Sequence, residues 1–139
     1  MKLFSISILS LCFAALATTA EPLRVVVSTP DLKSLAEHLG GEHVQIVSLA
    51  KGPEDPHVIE LLPSFARDLR RADLFIQVGL GIENAWLKDL LTRAGNDRVK
   101  PGGAANLNIG HGVRRLADDE GADAVAGSFH EEGNPHYLL

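Results

Sequence analysis

Three short runs of β-branched and aliphatic residues, each followed by a stretch with helical spacing, limit how this chain can fold. The runs are "LRVVVS" (Leu23–Ser28), "HVQIVSL" (His43–Leu49) and "DLFIQVG" (Asp73–Gly79). Each is too short for an ordinary helix and rich in the residues of a buried parallel strand. After the first, Thr29 is a capping residue type and Pro30 suits the first helical turn. Leu32, Leu35, Ala36 and Leu39 then recur at helical spacing until Gly40-Gly41 ends the helix. Ser64 is expected to cap a second helix carrying Phe65, Ala66, Leu69 and Ala72. Asn84 is expected to cap a third, with Trp86, Leu87, Leu90, Leu91 and Ala94 on one face and Gly95 ending it. For a fourth strand "ANLNIG" is preferred to "RVKP". Strands alternating with helices predict an α/β fold: a parallel sheet of about four strands with helices on both faces.

Right-handed crossovers put every strand-to-helix loop at the carboxyl edge of such a sheet, where ligands bind. His57 lies in the loop after the second strand and His136 follows the expected fourth, so both fall at that edge. Pro53 and Pro56 stiffen the approach to His57, and Asn134-Pro135 reads as a helix start with His136 in its first turn. A neutral imidazole presented on a proline-led turn is a good ligand for zinc or another late divalent metal. Glu60, three residues beyond His57, would orient the ring as an acceptor if that segment turned helically. His130, six residues before His136, is a candidate additional ligand, and His111 a weaker one; His38 and His43 fall away from the binding edge and read as structural. "GLGIEN" (Gly79–Asn84) follows a strand as a dinucleotide loop does, but its third glycine position is Asn84, so it reads as a turn in which Glu83 bonds nearby backbone.

The first twenty residues have a different character. Lys2 precedes the uncharged apolar run "LFSISILSLCFAALA", and small residues lead to Glu21. That order is a secretory signal peptide, residues 1–20, with cleavage after Ala20 or, alternatively, Ala17. Cys12, the only cysteine, lies within it, so the mature chain has no thiol for disulfides or cysteine-zinc sites. Loss of Lys2 leaves twelve basic against eighteen acidic side chains, and no basic patch suggests nucleic acid. Residues 114–133 have no period and carry six carboxylates, the pattern of a long surface loop.

Three stretches carry a resemblance. The pattern "PH-x-x-E-x-x-PS" (Pro56, His57, Glu60, Pro63, Ser64), then "RADLFIQVGLGIENAWL" (Arg71–Leu87), then "GNPHY" (Gly133–Tyr137) together resemble the periplasmic solute-binding proteins of zinc and manganese ABC importers. The resemblance implies two lobes, each a parallel sheet with helices, joined by a long helix, with the metal between them. It implies that residues 21–139 are the N-terminal lobe, that His57 and His136 are its two metal ligands, and that a histidine or glutamate and an aspartate come from a second lobe. Where the family continues "PHYWLDP", this chain reads "PHYLL" to Leu139, so the expectation is a fragment without its C-terminal lobe. The implied function is periplasmic capture of Zn²⁺, with Mn²⁺ as the alternative, for delivery to an ABC membrane permease. A closed, protein-ligated site leaves no position for an activated water, so no enzyme activity is expected.

Two other readings stay open. One is a small secreted metallohydrolase with an open site at His57, His130 and His136 and Glu131 or Asp55 as general base. The other is a truncated product without function, or one lobe assembled with a separately encoded second half.

Overall fold

The computed structural model describes residues 20–113. Residues 1–19, the bulk of the expected signal peptide, and 114–139, with His130, Glu131 and His136, lie outside the described residues. The chain runs β1 (Leu23–Val27), α1 (Pro30–Gly40), a 3₁₀ turn, β2 (Val44–Ser48), α2 (Pro63–Arg71), β3 (Leu74–Gln77), α3 (Leu87–Ala94), a second 3₁₀ turn and β4 (Asn106–Asn108). All strand pairs are parallel, in the order β2-β1-β3-β4. The fourth strand is the one preferred from sequence, while "RVKP" falls on the 3₁₀ turn Asp97–Val99 and on Lys100 and Pro101 beyond it.

Burial along the strands shows which layers cover them. Val25, Val26 and Val27 are all buried, as they must be in a central strand covered on both faces. Val26 and Phe75 pack with Phe65 and Leu69 of α2 and Leu87, Leu90, Leu91 and Ala94 of α3. Val25 and Val27 pack on the other face with Leu32 of α1 and with Val78 and Ile82. Helices therefore cover both faces, α1 one and α2 with α3 the other. β2 is an edge strand: Val44 and Ile46 reach the α1 core, whereas Val47 is exposed.

Helix boundaries depart from expectation at two starts. Ser64 does not cap α2; Pro63, whose ring sets a helical φ, takes the first helical position, and Leu62 is the N-cap. Asn84 does not cap α3, which starts at Leu87 with Trp86 at the N-cap position. Residues 79–86 are spent on turns instead, because Glu83 folds back onto the end of β3. Thr29 stands at the N-cap of α1 but makes no capping bond. The glycine stops hold, with Gly41 at φ 52° and Gly95 at φ 67°.

Adjacent strands β1 and β3 send their following helices to opposite faces. The crevice between their carboxyl ends is thus a topological switch point, the usual place for a ligand in an open α/β sheet.

Candidate metal centre

The loop from β2 to α2 is long but closely tied. Its start extends the sheet, with Leu49 N donating to Val27 O (2.9 Å) and Ala50 N to Ser28 O (3.0 Å). Glu54 closes the next turn by accepting from Lys51 N at 2.8 Å. The indole Nε1 of Trp86, itself 4% exposed, then donates to Pro56 O at 2.9 Å. Two residues past His57, Ile59 is buried in the α2–α3 core. His57 thus sits between a hydrogen-bonded clasp and a hydrophobic anchor, on a segment whose prolines already restrict the backbone.

Asp55 reaches across Pro56 to His57. Its Oδ1 accepts from the His57 backbone N–H at 2.9 Å and lies 2.8 Å from ring Nδ1. Val58 N donates to Asp55 O at 3.0 Å, closing the same turn. An ionised carboxylate can only accept, so Nδ1 is the donor of this contact, and in the neutral ring the lone pair then falls on Nε2. The His57 side chain is 16% exposed, and its Nε2 is shielded from solvent. That is the arrangement of a metal-ligating imidazole: one nitrogen anchored by a carboxylate, the other a σ donor.

The ring acceptor expected from sequence was Glu60. Residues 59–62 are not helical, so Glu60 is not brought back under the ring; its side chain is exposed, and the carboxylate on Nδ1 belongs to Asp55. The sequence marked Asp55 only as a candidate general base. The signal for its actual place is local: an aspartate two residues before a histidine, with proline between, is an Asx-turn sequence.

The switch point has its own polar latch. Glu83 is 2% exposed, and its Oε1 and Oε2 accept from Val78 N (2.8 Å) and Gly79 N (3.0 Å). Ser28 Oγ also accepts from Val78 N, at 3.3 Å, joining the carboxyl ends of β1 and β3. Gly79, Leu80 and Gly81 all have positive φ (78°, 54° and 92°), in the tight turn that brings Glu83 back to the end of β3. As the sequence suggested, Glu83 bonds nearby backbone and organises the turn.

Three other histidines lie among the described residues. His38 and His43 are exposed at the amino edge of β2, and His111 is exposed in the turn after β4. Among the described residues no group of three or more His, Cys, Asp or Glu side chains gathers to hold a metal. His57 is the expected ligand that falls within them.

Residues 25–139 match the family model described as "ZnuA: Zinc-uptake complex component A periplasmic". The chain belongs to the ZnuA family. Several known proteins are similar to it over parts of their length. Manganese-binding lipoprotein MntA of Bacillus subtilis is 30% identical over 78 residues, 56% of this chain and 25% of that protein. The manganese ABC transporter substrate-binding lipoprotein PsaA of Streptococcus anginosus is 28% identical over 81 residues, 56% of this chain and 26% of its own. A crystal structure of ZnuA shares the fold with TM-score 0.55 and 28% identity, covering 69% of this chain and 34% of that one. The chain thus spans about a quarter of the length of these curated relatives. In this ZnuA-family chain the parallel four-stranded sheet is the one expected from the strand-helix alternation.

Proposed function

We propose that this ZnuA-family lobe captures a divalent metal ion in the periplasm for handover to an ABC import permease. His57 supplies the first ligand through Nε2 and His136 the second, with His130 a further donor within reach in sequence. Donors from a second lobe, which the family resemblance implies, complete the shell. The cargo is Zn²⁺ in preference to Mn²⁺, because imidazole nitrogen favours the later metal. Zinc–nitrogen bonds of about 2.0–2.1 Å would form at each ring. The single observation that carries this reading is the His57 ring, with Nδ1 held by Asp55 at 2.8 Å on a loop clasped by Trp86.

The lobe acts by binding, not by chemistry. Neutral imidazoles and carboxylates fill the coordination shell, and no substrate other than the ion is required. Secretion through the N-terminal signal would place it in the periplasm. Two imidazoles with water in the other positions hold zinc far less tightly than a complete structural site, which is worth about 10–16 kcal/mol.

Calorimetric titration of the chain with Zn²⁺ tests the proposal. Weak binding is expected, reduced by His57→Ala or His136→Ala and lost in the double variant. Zinc affinity unchanged in the double variant refutes the site.

A further inference from the structure

The Asp55–His57 pair does more than close a turn. Resting on the metal-capture reading above, we propose that Asp55 is the positioning residue of the site: it keeps the proton of the neutral His57 ring on Nδ1 and so leaves the lone pair on Nε2 for the ion.

The argument starts from the tripeptide Asp55-Pro56-His57. Proline lacks an N–H and forces the residue before it into an extended conformation. The aspartate side chain then has one nearby backbone donor to meet, the N–H of the residue after proline. The structure shows that bond at 2.9 Å. Once Oδ1 is placed there, the ring of the same residue finds it at 2.8 Å through Nδ1. A single carboxylate oxygen thus fixes backbone and ring together, and Trp86 holds the intervening Pro56 carbonyl from the other side.

The tautomer matters because it decides which nitrogen can bond to a metal. A histidine side chain in water carries its neutral-form proton preferentially on Nε2, where it blocks the nitrogen that would bind the ion. Capture would then require a proton shift as well as desolvation. With Asp55 accepting from Nδ1–H, the lone pair already stands on Nε2 and the ring cannot rotate freely about its side-chain bonds.

A turn-closing role alone and a tautomer-setting role separate by substitution. Asp55→Ser keeps a short oxygen acceptor for the His57 backbone N–H, preserving the turn, but is too short to take the ring proton as well. Asp55→Asn keeps an acceptor oxygen for both. The measurement is the ¹⁵N chemical-shift pattern of the His57 ring in the metal-free chain at about pH 8.5, where imidazole is neutral. Its resonances are assigned by their loss in His57→Ala. Zinc affinity is then taken by calorimetry on the same samples.

The wild-type ring should show the Nδ1–H pattern, and so should Asp55→Asn. Asp55→Ser should shift toward Nε2–H and bind zinc about 10–100-fold more weakly, with Trp86 fluorescence unchanged. An Nε2–H pattern in the wild type, or wild-type zinc affinity in Asp55→Ser, overturns the proposal. Wild-type zinc binding that ignores His57→Ala overturns the metal-capture reading instead, and the tautomer, read with no metal present, still decides the role of Asp55.

Discussion

Removing the carboxylate of Glu83 should cost more stability than any other single polar change at the carboxyl edge. Its two oxygens accept from Val78 N and Gly79 N at 2.8 and 3.0 Å, and the side chain is 2% exposed. A hydrogen bond to a charged group contributes about 1.5–3 kcal/mol, and a buried donor left without its acceptor loses about 1–3 kcal/mol. In Glu83→Ala, Val78 N retains Ser28 Oγ at 3.3 Å, while Gly79 N loses the carboxylate. The expected loss is about 3–5 kcal/mol, about a fifth or more of the total stability of an ordinary small domain. Glu83→Gln keeps one acceptor but turns an NH₂ toward a backbone N–H, so it should cost about 2–4 kcal/mol rather than behave as a conservative change. The control is Glu60→Ala, exposed on the neighbouring loop, which should stay within about 0.5 kcal/mol. Urea unfolding followed by fluorescence of Trp86, the only tryptophan, reads all three. Midpoints for both Glu83 variants within about 1 kcal/mol of wild type, at unchanged slope, would show that the switch-point turn does not depend on the carboxylate.

Trp86→Phe removes the donor to Pro56 O and leaves a smaller ring in the core. A loss of about 2–3 kcal/mol is expected, read by circular dichroism because the fluorophore is gone, with zinc affinity falling as the clasp on the His57 loop opens. Gly79→Ala places a Cβ against the Asn108 side chain at a residue with φ 78°, so a destabilisation of about 1–3 kcal/mol should appear in the same urea assay. Lys100 hydrogen-bonds to the exposed Asp97 and holds its carboxyl below the ordinary carboxylate value, chiefly through that bond and then through its charge. The folded value lies below the unfolded one, so the pair's contribution is present above the unfolded value and fades as pH falls through the folded one. An NMR titration should show Asp97 rising toward the ordinary value in Lys100→Ala.

Much of the scaffold was legible in the chain because strand and helix periodicities are local properties. Three consecutive valines at 25–27 read as a strand covered on both faces, and they are buried by α1 on one side and α2–α3 on the other. Glycine stops at Gly41 and Gly95 were equally readable, since a left-handed cap depends on one residue's own backbone freedom. Helix starts were less so. Ser64 and Asn84 have capping chemistry, but Pro63 had already set the entering φ of α2, and the Glu83 carboxylate held back the start of α3.

At the site, His57 stood out from its proline-led loop, but its orienting carboxylate did not. Counting three residues forward to Glu60 assumed a helical turn; the aspartate two residues back needed only an Asx turn. The Trp86 clasp on Pro56 spans 30 residues and could not be inferred from either segment alone.

From sequence alone came the α/β class, the parallel strands, the family resemblance and the placing of His57 at the carboxyl edge. These follow from side-chain periodicity and short-range backbone restriction, which each segment carries wherever it lies. The tertiary structure decided the strand order, the switch point between β1 and β3, the Glu83 latch and the contact of Asp55 with the His57 backbone and ring. Each of those depends on which donor meets which acceptor once the chain has folded back on itself, and that pairing is set by the packing of the sheet and its helices.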